Sequence, residues 1–386
     1  MASEWTDTKW GKLVTLQYGG LGTHDYGATG SYRAYGTNGQ VGRTDIAEVN
    51  GPGIIIGRKG AYRGVHYSPD AFGVIGTAFY LQPKTEFDLK WAYYQLLTQN
   101  INAMDSGSAI PSTSRPDFYQ LSVLVPPLDE QRRIASILGA LDDKIELNRR
   151  MSQTLDEMAQ AIFKSWFVDF DHHPSIEPTA GLPAGWSRRP IGDVVRVEGG
   201  TTPSTKRDEY WAGGVHQFGT PKDMSGLDVP VLLQTERRVT DAGLAAIGSG
   251  LLPAGTVLMS SRAPIGYLAI AEEPIAVNQG IIAMVCQSAL SAEFILGWAR
   301  HSQAEIASRA NGSTFMEISK GNFRQISVVV PDSRSLADFD KIVKPLHRRM
   351  VACEIQTRQL SMLRDALLPR LLAGKMVCHH AHKAAS

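Results

Sequence analysis

Cationic and hydroxyl side chains recur in glycine-rich segments of this chain, and they are the residues best suited to chemistry. Arg58, Lys59 and Arg63 lie between Gly57 and Gly64, directly after a short apolar stretch. Arginine can form two hydrogen bonds to guanine, lysine suits phosphate, and glycine lets the backbone approach a ligand closely. The alternative is a solvated surface turn, and for any single residue the two interpretations stay equally open.

Further polar candidates occupy related positions in three other segments of the chain. They are Ser112, Thr113, Ser114, Arg115, Ser260, Ser261, Arg262, Ser313, Thr314 and Lys320. Groups of this kind suit phosphate contacts, which position a nucleic acid without reading its bases. The aromatic residues Trp91, Tyr93 and Tyr94 have helical spacing and are expected in the core.

Catalytic motifs are missing from the sequence. It contains no Gly-x-x-x-x-Gly-Lys-Ser/Thr phosphate loop and no Gly-x-Ser-x-Gly nucleophile motif. The nearest approach to the Asn/Asp-Pro-Pro-aromatic tetrad of amino-methyltransferases is Val125-Pro126-Pro127-Leu128, which lacks the polar first residue. The chain is therefore expected to bind rather than to catalyse.

Composition indicates a protein of two or three globular domains without a metal centre. The chain has 386 residues, of which 43% are hydrophobic and 20% charged. No run approaches the roughly 18 apolar residues of a membrane span, and the first residues lack the features of a secretory signal. Cys286, Cys353 and Cys378 are an odd number without close pairing, as expected in a reducing cytoplasm. His172 and His173 have no further ligands at metal spacing.

The chain contains one pattern twice. The stretch from Phe118 to Pro126 recurs 205 residues later, from Phe323 to Pro331. So long a period indicates tandem duplication of a domain rather than a solenoid. Short β-branched stretches, frequent glycines and one helical stretch per copy predict mixed α/β domains at residues 1–127 and 186–337.

A long helical pattern follows each copy, over residues 128–172 and 338–374. Apolar residues recur there at gaps of three and four, which is the seam of a coiled coil. The apolar seam positions are Ile134, Leu138, Leu141, Ile145, Leu155 and Ile162, with Asn148 and Ser152 at the seam positions between Ile145 and Leu155, then Val343, Leu346, Met350, Cys353, Leu360, Leu363, Leu367 and Leu371. The first segment has six basic and nine acidic residues, whereas residues 338–386 have nine and four. The opposite charges favour an antiparallel rod with one domain at each end; the alternative is that each helix packs on its own domain.

Single positions add to this interpretation. Asp129 is expected to cap the first helix, and Pro345 to lie in the first turns of the second or to mark a kink. Asn148 either fixes the register of the pair, as a buried asparagine can, or faces solvent. A proline- and glycine-rich linker is expected at residues 173–185, and a flexible tail at 375–386.

Several segments occur in an order that is typical of one family. They are Pro126 to Ala135, Ala161 to Phe170, Gly185-Trp186, Gly199 to Ser204, Met259 to Gly266, Asn278 to Gly280 and Leu367 to Lys375. Together they span nearly the whole chain and resemble the specificity subunits of type I restriction-modification systems. The second helix departs from the pattern, because Pro331-Asp332-Ser333 stands where the first copy has Pro126-Pro127-Leu128. This departure is expected to loosen the start of that helix.

The resemblance implies an α+β protein with two similar target-recognition domains separated by two long antiparallel helices that form a coiled-coil rod. Each domain would read one half of a bipartite double-stranded DNA target, and the helices would set the spacer and bind two modification subunits. The chain itself would be non-catalytic and hold no cofactor, with S-adenosylmethionine on the modification subunit. Restriction subunits are possible further partners, and no membrane is involved.

The resemblance implies that the ligand of the polar candidates named above is DNA. The expected DNA-binding residues are Arg58, Lys59, Arg63, Ser112, Thr113, Arg115, Ser260, Ser261, Arg262, Ser313, Thr314 and Lys320. A different class of function also fits the duplication, namely a coiled-coil adaptor that joins proteins and touches no DNA. Only a DNA-reading subunit predicts salt-dependent duplex binding with a sequence preference.

Overall fold

The chain divides into two compact units in a computed structural model. The described residues are 5–104, 110–171, 181–286, 290–312 and 316–375. Unit 1 comprises Met1–Lys144 and Leu360–Ser386, and unit 2 comprises Ile145–Gln359. Each unit therefore contains one of the duplicated domains and a part of both long helices.

Unit 1 is built on strands, with short helices between them. The strands are β1 (Thr6–Lys9), β2 (Val14–Tyr18), β3 (Tyr32–Gly36), β4 (Gly39–Thr44), β5 (Gly53–Gly57), β6 (Val65–Ser68), β7 (Phe72–Val74), β8 (Ala78–Pro83) and β9 (Ser122–Val125). The helices are α1 (Trp10–Leu13), α2 (Leu89–Leu97) and α3 (Arg115–Gln120), followed by the long α4 (Leu128–Phe167). The sheets have the orders β2-β8-β5-β6, β4-β3-β7 and β1-β9.

The central strand β5 shows why this sequence folds as a covered sheet. Its three isoleucines are fully buried, and successive side chains of a strand point to opposite faces. Ile54 and Ile56 join a core with Trp10 and Trp91, whereas Ile55 joins a second core on the other face. The aromatic residues of α2 are in the first of these cores, as the helical spacing predicted.

Unit 2 repeats this architecture. Its strands are β10 (Ser187–Pro190), β11 (Arg196–Glu198), β12 (His216–Gly219), β13 (Val231–Leu232), β14 (Arg237–Val239), β15 (Val257–Ser260), β16 (Leu268–Ala271), β17 (Ile275–Val277), β18 (Ile281–Val285) and β19 (Ser327–Val330). The helices are α5 (Pro221–Ser225), α6 (Asp241–Ala245), α7 (Ala292–His301), α8 (Gln303–Ser308), α9 (Lys320–Arg324) and the long α10 (Ser333–Leu372). The orders β11-β18-β15-β16-β13, β14-β12-β17 and β10-β19 match the three sheets of unit 1, with β13 added. The duplication inferred from the sequence is confirmed.

The long helices α4 and α10 are antiparallel where they meet. In unit 2, Asn148 bonds to Gln356 at 2.9 Å, and Met151 lies 3.6 Å from Cys353. In unit 1, Asp142 accepts a hydrogen bond from Arg364. Residue numbers thus rise along one helix as they fall along the other, which confirms the antiparallel pair. The alternative in which each helix packs only on its own domain is wrong.

Two expectations about the helix starts are wrong. Asp129 is not the cap, because α4 already begins at Leu128; its carboxylate lies in the first turn, 3.5 Å from Arg132. The start of α10 is not loosened, because Asp332 accepts the backbone N–H groups of Arg334 at 2.9 Å and Ser335 at 3.0 Å. The aspartate supplies the N-cap that was expected to be missing, and the helix begins at Ser333 instead of residue 338.

The seam positions follow the expected pattern except at Leu363. Pro345 lies in the interior of an unbroken helix and not in its first turns. Leu363 is 48% exposed and is therefore not a seam residue. Asn148 is fully buried, so the solvent-facing alternative is wrong, and its bond to Gln356 fits a role in fixing the register. The first helix ends at Phe167 and not near residue 172.

Some expectations fall outside the described residues. They concern His172, His173, Cys378, most of the linker at 173–185 and nearly all of the tail at 375–386. Within the described part, no cluster of histidine, cysteine, aspartate or glutamate side chains could hold a metal ion. No helix in the described ranges combines the length and the apolar character that crossing a membrane requires.

Candidate nucleic-acid interface

One edge of the main sheet in unit 1 brings the ends of two strands together. Strands β2 and β5 are both antiparallel to β8, so they end at the same side. Tyr18, the last residue of β2, is opposite Phe79, and Gly57, the last residue of β5, is opposite Ala78. Tyr18 and the residue that follows Gly57, Arg58, therefore leave the sheet side by side.

A third segment is attached to this edge by the backbone. Thr113 donates its N–H to the carbonyl of Arg58 at 2.8 Å, and Lys59 forms a β-bridge with Ser112. The segment then turns into α3, where the Ser114 hydroxyl accepts the N–H of Asp117. This attachment places the first residue of α3, Arg115, at the same edge as Tyr18 and Arg58.

Tyr18, Arg58 and Arg115 form a compact group, here called the Arg–Tyr–Arg cluster. The guanidinium carbons lie 4.7 Å (Arg58) and 4.4 Å (Arg115) from the centre of the Tyr18 ring, within the range of a cation–π contact. Tyr18 is 47% exposed, and neither arginine pairs with a carboxylate in the described part of the chain. Together with the exposed Lys59, the cluster gives this edge an uncompensated positive charge.

The loop after Tyr18 is fixed by close packing and by one carboxylate. A Cβ atom on Gly19 would lie 2.5 Å from the carbonyl oxygen of Val74, so only glycine fits there. Glu48 accepts the N–H of Gly20 at 2.6 Å and that of Val74 at 2.7 Å. Behind the edge, burial lowers the pKa of His66, so its ring is neutral near pH 7 and adds no charge.

Unit 2 builds the corresponding edge with the same backbone contacts. Ile318 donates to the carbonyl of Ser261 at 3.1 Å, as Thr113 does to Arg58, and Arg262 forms a β-bridge with Glu317. Lys320 begins α9 directly after a capping serine, which is the position that Arg115 holds in α3. Both units thus present residues from three equivalent segments.

The side chains at the second edge are different. The residue after β11 is Gly199, which occupies the place of Tyr18, and Ser261 occupies that of Arg58. Arg262 lies 3.6 Å from the carboxylate of Glu317, so its charge is largely compensated. Lys320 is exposed and runs past Gly199, where a Cβ atom would lie 3.1 Å from its Cδ. The second edge is therefore cationic chiefly through Lys320.

The loop that follows is packed as tightly as its counterpart in unit 1. A Cβ atom on Gly200 would lie 1.5 Å from the carbonyl oxygen of Val277, so this position also requires glycine. Gly200 stands one residue beyond the strand-end position, as Gly19 does. The two edges therefore share their backbone frame and differ in the side chains mounted on it.

Several of the expected DNA-binding side chains are buried within their own unit, and this corrects their assignment. Arg63 is 2% exposed, and its Nη2 donates to the carbonyls of Asn102 at 2.8 Å and Met104 at 2.7 Å. Thr113 is 4% exposed and donates its hydroxyl hydrogen to the carbonyl of Gly57. These two residues hold loops in place and present no donor to a ligand.

The two serines of unit 2 are corrected for the same reason. Ser260 is fully buried, donates to the carbonyl of Pro264 at 2.8 Å and accepts the N–H of Tyr267. Ser261 is 2% exposed. Ser313 and Thr314 lie outside the described residues. The exposed or half-exposed cations that remain are Arg58, Lys59, Arg115, Arg262 and Lys320, and their part in DNA binding stays a prediction.

Tyr18 was missed from the sequence. Its position becomes apparent only when Tyr18-Gly19-Gly20 is aligned with Gly199-Gly200-Thr201, and the interrupted similarity at that point gives a weak signal. The pairing of Tyr18 with Phe79 supplies the missing information.

Comparisons with known proteins agree with this architecture. A family profile described as the type I restriction modification DNA specificity domain matches residues 21–157 and 183–348. The HindI type I restriction enzyme specificity subunit of Haemophilus influenzae is 24% identical over an alignment of 375 positions, and the match covers 78% of this chain and 81% of that protein. The MjaIX specificity subunit of Methanocaldococcus jannaschii is 32% identical over 152 residues, 39% of this chain and 35% of that protein.

A solved structure has the same fold. The crystal structure of a type I restriction-modification system S subunit from M. genitalium superimposes with a TM-score of 0.68. The match covers 95% of this chain and 96% of that one, at 20% sequence identity. At this identity the likeness concerns the fold and not individual residues.

Proposed function

The chain belongs to the type I restriction-modification DNA specificity family, and on this premise we propose how it reads DNA. Each unit binds one half of a bipartite duplex target through the edge described above. In unit 1 this edge carries Tyr18, Arg58, Lys59 and Arg115, and in unit 2 Arg262 and Lys320 take the corresponding place. The observation that carries the proposal is that one backbone frame is built twice with different exposed side chains.

The chemistry of these side chains suits a duplex. Arginine can read guanine through two hydrogen bonds in the major groove, and lysine contacts phosphate as a point charge. Lys59 and Lys320 are exposed at the ends of structured segments, where they can approach the phosphate backbone of a duplex without rearrangement of the protein. Two different sets of side chains on one frame are what an asymmetric pair of half-sites requires.

The long helices have the dimensions of a spacer. Each contains 40 residues, and at about 1.5 Å per residue each is roughly 60 Å long. We infer that the antiparallel pair sets the number of base pairs between the half-sites. The same pair offers two similar surfaces for modification subunits, so about two such subunits are expected per chain, with restriction subunits as further partners.

The chain is the non-catalytic component of such a complex, since the family is one of specificity subunits. Methyl transfer therefore belongs to the modification subunit, and S-adenosylmethionine is expected to bind there. This chain is expected to act in the cytoplasm, where the DNA of a host cell is accessible. Titration calorimetry that showed tight binding of S-adenosylmethionine to the isolated chain would reject this division of labour.

Methylation mapping tests the proposal. A host that expresses this chain with its modification subunit should carry methylated adenines at one bipartite motif with a fixed spacer. The assembled complex should also bind a duplex of that sequence with an affinity that falls steeply as salt is raised. An adaptor that joins proteins without touching DNA predicts no motif and no sequence preference, and that result would contradict the proposal.

A further inference from the structure

We propose that the Arg–Tyr–Arg cluster is the guanine-reading element of unit 1, with Arg58 reading the base, Arg115 contacting phosphate and Tyr18 positioning both. This inference rests on the proposed function and names the side chains that give one half-site its sequence. It adds Tyr18, which no sequence pattern had indicated, and it assigns different roles to the two arginines.

The arrangement of charge argues against a merely structural role. Two guanidinium groups of the same sign share one aromatic ring and repel each other, and no carboxylate compensates them in the described part of the chain. The two guanidinium groups are not needed to bury the Tyr18 ring, because this side chain remains 47% exposed. A cationic group that is ordered but uncompensated at an exposed edge is suited to an anionic or electron-rich partner.

Preorganisation distinguishes the two arginines. Arg58 donates from Nη1 to the carbonyl of Gly76 at 2.6 Å and packs on the rings of Tyr18 and Phe79, so three contacts hold it. This leaves Nε and Nη2 for the two acceptors that guanine presents in the major groove. Within the described part of the chain, Arg115 makes no side-chain hydrogen bond and packs on the Tyr18 ring, so its orientation is less restricted and suits a phosphate, which needs no fixed geometry.

The end of β2 that carries Tyr18, and the loop after it, are fixed by close contacts. Gly19 fits against the carbonyl of Val74 only because it has no side chain, and Glu48 fixes the N–H groups of Gly20 and Val74. The ring thus has a fixed place relative to β5, from which Arg58 emerges.

Unit 2 provides an internal comparison. At the three equivalent positions it has Gly199, Ser261 and Lys320, so it offers neither the ring nor the base-reading arginine. The cluster should therefore determine the sequence of one half-site and leave the other unaffected.

The test compares two neighbouring cations, Arg58 and Lys59, of which only Arg58 belongs to the cluster. The complex assembled with its modification subunit would be used to select targets from a library of randomised duplexes. For Arg58→Ala, we expect the preference for guanine at one position of one half-site to fall by about 5- to 150-fold, which corresponds to the loss of one bidentate contact. The other half-site should be unchanged. For Lys59→Ala, the matched control, and for Arg115→Ala, affinity should fall for all sequences alike.

Substitutions of Tyr18 test the positioning role. Tyr18→Phe keeps the aromatic face and should retain the preference, whereas Tyr18→Leu removes it and should relax the same position as Arg58→Ala. Thermal melting of each variant shows whether the fold is retained, and Arg58→Ala decides the question if Tyr18→Leu is unfolded.

The outcomes separate this inference from the proposed function. If Arg58→Ala weakens all sequences equally, changes nothing, or relaxes a position that does not select guanine, the inference is wrong and the proposed function stands. If the unsubstituted complex selects no bipartite sequence, the proposed function fails, and the inference fails with it.

Discussion

Arg63 and Arg58 lie five residues apart and should respond to substitution in opposite ways. Methionine at position 63 keeps much of the apolar volume of the side chain but removes the guanidinium group. Two short hydrogen bonds are then lost, to Asn102 at 2.8 Å and Met104 at 2.7 Å, and both carbonyls are left without that donor. A hydrogen bond to a charged group contributes about 1.5–3 kcal/mol, so the gross loss is roughly 3–6 kcal/mol.

Part of this loss is offset. Nε and Nη1 of Arg63 are buried and have no hydrogen-bond partner in the part of the chain that the structure describes, and their removal relieves a desolvation cost. We expect a net destabilisation of about 3 kcal/mol for Arg63→Met. For a unit of this size that corresponds to roughly 6–12 °C in the melting temperature.

The assay is a thermal melt of the purified chain, followed by duplex selection with the assembled complex well below the melting temperature. Arg63→Met should lower the first melting transition and leave base preference unchanged. Arg58→Met, the control, removes one hydrogen bond of a half-buried side chain, to the carbonyl of Gly76, instead of two of a buried one, so it should lower the melting temperature less than Arg63→Met does. If Arg63→Met melted normally and lost selectivity, the buried position of this side chain would be refuted and its role as a base reader restored.

Two further predictions concern the helices. Asn148→Leu should raise stability by about 1–3 kcal/mol, because Oδ1 of this fully buried side chain has no hydrogen-bond partner among the described residues, while the exposed Gln356 can turn to water. A lower denaturation midpoint in urea would contradict this. Asp332→Ala should cost about 1 kcal/mol at neutral pH through loss of the N-cap, measured as the difference from the unsubstituted protein in urea unfolding. The pKa of Asp332 is lowered from 3.8 to about 2 by hydrogen bonds, chiefly from the backbone N–H of Ser335 and also from the indole N–H of Trp186. A carboxyl group whose pKa is lower in the folded protein than in the unfolded chain stabilises the fold at pH values above its pKa in the unfolded chain. The difference in stability between Asp332→Ala and the unsubstituted protein should therefore be constant above about pH 5 and shrink as the pH falls from about 4 to 2. A difference that grows in acid would refute the assignment of Asp332 as the N-cap.

The features that could be predicted from the sequence are those encoded by periodicity. The repeat of the segment from Phe118 to Pro126 and the apolar spacing of the long helices depend on many residues, so single exceptions do not obscure them. The antiparallel pairing followed from length and charge. Asn148 was recognised as a seam residue because its position fits the heptad, although its burial could not be decided from the pattern alone.

The parts of the site that could not be predicted depend on contacts between distant residues. Arg63 and Arg58 share one glycine-rich loop, and nothing in their spacing shows that Arg63 points toward the carbonyls of residues 101–104. Tyr18 reaches the site only through the register of β2 on β8. The cap by Asp332 was missed because the expected pattern was that of the first helix, although an aspartate before Ser333 is itself a cap signal.

The central claim is that the units read two half-sites at a distance set by the helices, and a double heptad insertion tests it most directly. Seven residues would be inserted after Ser152 in α4 and seven after Val351 in α10. These points correspond because Met151 contacts Cys353, and a heptad keeps the seam in phase. Each insertion adds about 10.5 Å of helix, and DNA rises about 3.4 Å per base pair.

Methylation mapping of a host that carries the extended chain gives the result. The recognised spacer should lengthen by about three base pairs, or fewer if the helices lie oblique to the DNA, while both half-site sequences stay the same. A chain extended in α4 alone serves as the control, since its seam is out of register and it should lose activity. An unchanged spacer in a folded and active doubly extended variant would contradict the account.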